Sequence, residues 1–134
     1  MTGLTHIEAR RRILNMVPAT PGWKRFEDVA QSSAHPPWIV IKFVQDGQLD
    51  TESLAVTTRL ATLEIRVVGD TADGIGVICD KMCRALHGAW PGRPFGRIVL
   101  DVDSGVYPSE LVSTTTNLPY LMRVLRFRVN WAAN

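Results

Sequence analysis

The sequence predicts an α+β fold: a two-layer sandwich in which two helices cover one face of a mostly antiparallel mixed sheet, with a long protruding hairpin. Three observations predict it. Patterned segments run helix, strand, strand, helix, strand, strand, which is not the alternation of a doubly wound protein. Ile75, Ile78, Cys79, Met82 and Leu86 recur at helical spacing and form one apolar stripe, opposite Asp73, Asp80, Lys81 and Arg84. The stretch LMRVLRFRVNW, residues 121–131, alternates apolar and polar residues, so one strand face is apolar and the other carries arginine.

The elements follow in order. Thr5-His6-Ile7-Glu8 fits a capping box, in which the Thr oxygen and Glu carboxylate satisfy free amides at a helix start. That helix runs to about Val17, because Pro18 forbids continuation. Leu4, Ile7, Leu14 and Val17 form its expected apolar stripe, interrupted by Arg11. Arg10, Arg11 and Arg12 read either as a solvated face or as a surface for an acidic partner. Residues 18–37, with five Pro and Gly positions, read as an extended ordered loop, with one helical turn placed near Phe26 to Ala30. Trp23 and Phe26 pin it to the body.

Trp38 to Val44 is β-branched and aromatic and bounded by Pro37 and Asp46-Gly47, hence a strand. A polar stretch from Gln45 to Ser53 then leads into a second strand ending near Val68, where Ala61, Leu63, Ile65 and Val67 alternate with Thr62, Glu64 and Arg66. Two long strands joined by a polar connection predict an antiparallel hairpin whose tip projects. Asp70 or Thr71 caps the second helix, and Gly88 ends it. Arg97 to Asp103 is a third strand, Ser104 to Pro119 a loop or irregular strand, and the arginine-bearing stretch the last strand. Helices packed on Leu125, Phe127, Val129 and Trp131 leave Arg126, Arg128 and Asn130 facing away, together with Thr62, Glu64 and Arg66. Such a face suits a subunit boundary or a lumen; a merely solvated face accounts for the same pattern.

At 134 residues the chain is expected to be one domain with a real core. Its apolar runs are too short to span a bilayer and no leader pattern opens it, which predicts a chain made and kept in a cytoplasm-like compartment. A net charge of +2 does not by itself mark a nucleic-acid binder. Cys79 and Cys83 read as buried reduced thiols, since helix geometry makes a disulfide between them awkward.

A search for chemistry finds no carrier. His6, His35 and His87 make no zinc-type spacing with the thiols, so no metal is expected. Gly74-Ile75-Gly76 lies between a strand and a helix, but the third glycine of a dinucleotide loop is replaced by Cys79, so no cofactor is expected. The Ser113 to Thr116 run has no elbow glycines and no evident base. Asp101 and Asp103 are expected to share a strand face, as a charged edge that discourages aggregation. Aromatics pointing away from Arg126 and Arg128 argue against a base-stacking platform.

The arginine-bearing opening helix, the PPWIVIKF strand after a proline-rich loop, ATLEIRVVGDTADGIGVICDKMCRAL and the closing YLMRVLRFRVNW together resemble the tail terminator, or tail-completion, proteins of long-tailed bacteriophages and related gene-transfer particles. The resemblance spans roughly Thr5 to Trp131 and is one of layout. It implies a virion protein without enzymatic activity. Such a protein forms a ring, typically a hexamer, stops polymerisation of the tail tube protein and joins the tail to the head connector. DNA passes its lumen without sequence-specific binding. On that reading Glu64, Arg66, Arg126 and Arg128 serve the lumen wall or neighbouring subunits, and the acidic hairpin tip, with Asp46, Asp50 and Glu52, contacts an adjacent ring. Another neck ring protein, or a small cytoplasmic nucleic-acid-binding or adaptor domain, is the alternative expectation.

Overall fold

The computed structural model describes residues 4–30, 34–50 and 57–132. Among them run α1 (His6–Met16), β1 (Lys24–Glu27), β2 (Trp38–Asp50), β3 (Thr57–Gly69), α2 (Ala72–Leu86), β4 (Val99–Asp103), β5 (Tyr107–Val112) and β6 (Pro119–Ala132). The sheet is ordered β1-β2-β3-β6-β4, and β5 also pairs with β6. Only the β1–β2 pairing is parallel. This is the expected α+β sandwich with a mostly antiparallel mixed sheet.

The first helix starts as its capping box requires. Glu8 N–H donates to Thr5 Oγ1 at 3.2 Å, and Thr5 N–H donates to Glu8 Oε2 at 2.8 Å. Its buried face differs from the expected stripe: Ala9, Ile13, Leu14 and Val17 enter the core, while Ile7 is 67% exposed. The buried arc centres on Ile13 and Val17, and Ile7 stands about 120° from Ile13 at 100° per residue.

Residues 24–27 form a strand where a loop with a helical turn was expected near Phe26 to Ala30. Four residues carry no usable periodicity. Pairing from Lys24↔Trp38 to Glu27↔Ile41 makes the strand, and Asp28, at φ 69°, turns the chain away. Phe26 meets Trp38 edge-on with ring centroids 6.0 Å apart. Trp23 lies over Gly69, where an added Cβ would come within 2.8 Å of its ring. That glycine is a packing requirement.

The hairpin strands are longer than the apolar run that predicted them. Pairing of β2 with β3 continues to Asp50↔Thr57, past a bulge between Gln45 and Gly47, because β3 supplies the backbone partners that the polar sequence does not advertise. The expected tip, residues 51–56, lies outside the described residues. The second helix follows expectation: Gly74 N–H donates to Thr71 Oγ1 at 3.1 Å, and Ile75, Ile78, Cys79, Met82 and Leu86 are buried. Burial pushes the Cys79 thiol up to about 12. Within the expected loop or irregular strand, Ser104 to Pro119, lies β5, whose pairing with β6 breaks register between Pro108 and Val112.

One connected core holds the buried sides of both helices and the alternate residues of the sheet, among them Ile41, Leu63, Ile65, Leu125, Phe127 and Trp131. No described helix is long and apolar enough to cross a membrane.

Candidate interaction face

Strand alternation sorts β6 into two sets. Leu125, Phe127, Val129 and Trp131 are buried beneath the helices, and Arg126 and Arg128 stand exposed on the far face. Register then decides what shares that far face. Lys42 lies opposite Glu64, Glu64 opposite Arg126, and Arg126 opposite Val102. The next row is Val44, Thr62, Arg128 and Val99.

Within these rows the predicted residues meet. Glu64, whose side chain is 16% exposed, accepts from Arg126 Nε at 3.0 Å and from Arg66 Nη2 at 3.5 Å. Arg128 Nε stands 3.7 Å from Asp101 Oδ1. Asp46, expected at the hairpin tip, stands on this same face at the bulge, where its carboxylate accepts from Thr62 Oγ1 at 2.6 Å. Asp50 ends β2 with its side chain outside the described set, and Glu52 lies outside the described residues altogether.

The face is hollow. A cavity of about 310 Å³ is lined together by Lys42 and Asp46 of β2, Glu64 of β3, Asp101 of β4 and Arg126 of β6. A second, of about 540 Å³, continues it past Thr62, Arg97 and Arg128. Side chains of four neighbouring strands thus border one polar trough on the face opposite the helices.

Sequence reasoning missed that the other end of this face is apolar. Trp38, Val68 and Val124 are buried there, and a cavity of about 570 Å³ opens between residues 28–30 and Tyr107 to Leu111. A signal existed: Val67 and Val68 are adjacent, and on a strand adjacent apolar residues need cover on both faces.

Asp101 and Asp103 do not share a face. A bulge between Leu100 and Val102 leaves Asp101 beside Arg128 and turns Asp103 under the helix layer. There Arg123 grips it with Nε at 2.9 Å from Oδ1 and Nη2 at 2.5 Å from Oδ2. The Arg123 guanidinium holds the Asp103 carboxyl below the usual carboxylate range. A depressed folded value means this stability is present above the unfolded value and is lost as pH falls through the folded one. Asp103→Asn is therefore expected to lower stability by about 1 kcal/mol near neutrality. In urea titrations the difference from the unaltered chain should shrink as pH falls below the ordinary carboxylate range. A pH-independent gap would refute the assignment.

The three arginines of α1 part company. Arg10 Nη2 is 3.0 Å from Glu27 Oε2, and Arg12 donates to the carbonyls of Pro91 and Arg93 at 2.8 and 2.9 Å. Arg11 alone is left exposed on the helix, so neither a fully solvated trio nor a shared acidic-partner surface describes them.

The two flanks of the sheet are unlike. Pairing of β1 stops at Ile41, so from Lys42 onward the β2 edge has no strand partner among the described residues. At the other flank Gly88 and Ala89 bond to Ile98 at 2.7 and 2.8 Å, and Leu100 N–H donates to His87 Nδ1 at 3.0 Å. Apolar side chains stand exposed along that flank, including Val102, Tyr107, Leu111 and Val112. Among the described residues no group of three or more His, Cys, Asp or Glu side chains is placed to hold a metal ion. No protein-family model matches the chain, and no curated protein matches it.

Proposed function

We propose that the chain is a structural protein of a long-tailed phage or related particle. In this reading it forms a sixfold ring at the head-proximal end of the tail tube, stops tube polymerisation and joins the tail to the head connector. DNA passes the lumen, and the protein turns over no substrate. The observation that carries the reading is the charged trough on the sheet face opposite the helices. Copies arranged with helices outward would line a hole with Glu64, Arg66, Arg126 and Arg128. The unlike flanks support it as well. A ring closes through head-to-tail contacts, which need two different patches on each copy. Here a β2 edge without a strand partner among the described residues and a flank with exposed apolar side chains on β4 and β5 provide them. Asp46 belongs to the trough in this arrangement, and the hairpin tip keeps its role as contact to the next ring.

The test is the mass of the purified chain alone and after mixing with tail tubes of its own particle. Tubes capped by about six copies are expected, since six is the ring order carried over from the resemblance, and closed point-group rings fix such a number. Particle images without density for this chain at the head–tail junction would end the proposal, as would turnover of a small metabolite.

A further inference from the structure

We propose that Glu64 and Asp101 are built-in counter-ions that keep the arginines of the trough from gripping a phosphate backbone, so that duplex nucleic acid can face the trough without being held. The inference deepens the ring reading, on which it depends only for where the duplex lies. Five cations, Lys42, Arg66, Arg97, Arg126 and Arg128, stand on or border this one face. No aromatic side chain lines the two trough cavities, Trp38 and Tyr107 lying at the apolar end of the face, so the trough itself offers charge and no stacking surface. That chemistry suits the outside of a duplex and not unpaired bases.

Left alone, those side chains would contact phosphates, each contact releasing counter-ions. They are not left alone. Glu64 engages Arg126 Nε and Arg66 Nη2, and Asp101 stands beside Arg128. The arginine side chains are 46 to 65% exposed, so these pairs contribute little to stability. Their effect falls on what else the arginines can bind. A carboxylate within the trough occupies guanidinium donors and repels phosphate at the same point. The exceptions are Lys42, whose side chain has no hydrogen bond or ion pair among the described residues, and Arg97, which donates to the Gly88 carbonyl at 2.9 Å.

The test is anisotropy of a labelled mixed-sequence DNA duplex, titrated with the full chain at several salt concentrations. Weak binding by the natural chain is expected. Glu64→Gln and Asp101→Asn should each tighten it about tenfold at 0.1 M salt and steepen the salt slope by roughly one per freed arginine. Arg126→Gln added to Glu64→Gln should return binding to the starting level. Asp103→Asn is the control: it changes net charge equally but frees Arg123 on the helix side. Asp101, with a side chain 48% exposed, tolerates its substitution even if Glu64→Gln perturbs the fold. Folded trough variants that gain nothing overturn the inference, and so does an equal gain by Asp103→Asn. Either result leaves the ring reading standing, because that is judged by particle density; absence from particles removes the ring and leaves the DNA measurements to decide this inference.

Discussion

Phe127→Ala should lower stability by about 3–5 kcal/mol, a large share of the ~5–15 kcal/mol that holds a domain of this size together. Phe127 is fully buried, paired with Leu63 on one side and Leu100 on the other, at the middle of the sheet beneath the helices. Its truncation removes the transfer energy of a benzyl group and leaves a hole that neighbours on three strands cannot fill without breaking register. Thermal unfolding should show a midpoint roughly 10–20 °C lower. Phe127→Leu, which keeps most of the volume, should lose only about 1–1.5 kcal/mol. If alanine shifts the midpoint by no more than leucine does, the packing described for β6 is wrong.

Arg12→Ala is the second large expectation, a loss of about 2–3 kcal/mol from an arginine that sequence inspection places in a cluster of three. Its guanidinium donates to two backbone carbonyls of the 91–93 loop and lies 5.2 Å from the centre of the Phe95 ring. Phe95 in turn touches Trp131 at 5.8 Å between ring centres. The side chain thus clamps α1 to the loop before β4 and covers the edge of the aromatic core. Removing it leaves two carbonyls without donors and exposes the ring. Arg12→Lys should recover only part of the loss, because one ammonium cannot span both carbonyls and stack. Arg11→Ala should change urea stability by less than about 0.5 kcal/mol. Equal losses from all three arginines would refute the clamp.

These three arginines show why the sequence was legible in some places and not in others. A capping box, a proline stop and the Ile75 to Leu86 stripe act within a few residues, and α1 and α2 begin and end where those signals stand. Alternation likewise assigned Leu125, Phe127, Val129 and Trp131 to the core and Glu64, Arg66, Arg126 and Arg128 to the far face. Where a residue finds its partner far along the chain, local pattern is silent. Arg12 reaches residues about eighty positions away, β1 exists through its pairing with β2, and β2 continues to Asp50 because β3 runs beside it. Bulges were invisible for the same reason. One extra residue at Leu100/Val102 separates Asp101 from Asp103, and another at Gln45/Gly47 brings Asp46 into the trough.

The two helices, the long strands, the class of fold and the division of those strands into an apolar and a charged side are properties of this sequence alone, because period and capping are set by neighbours in the chain. The short strands β1 and β5, the pairing of each arginine and the apolar end of the far face were decided only by tertiary structure. Those depend on strand register, and register is a property of two chain segments at once, which no single run of residues contains.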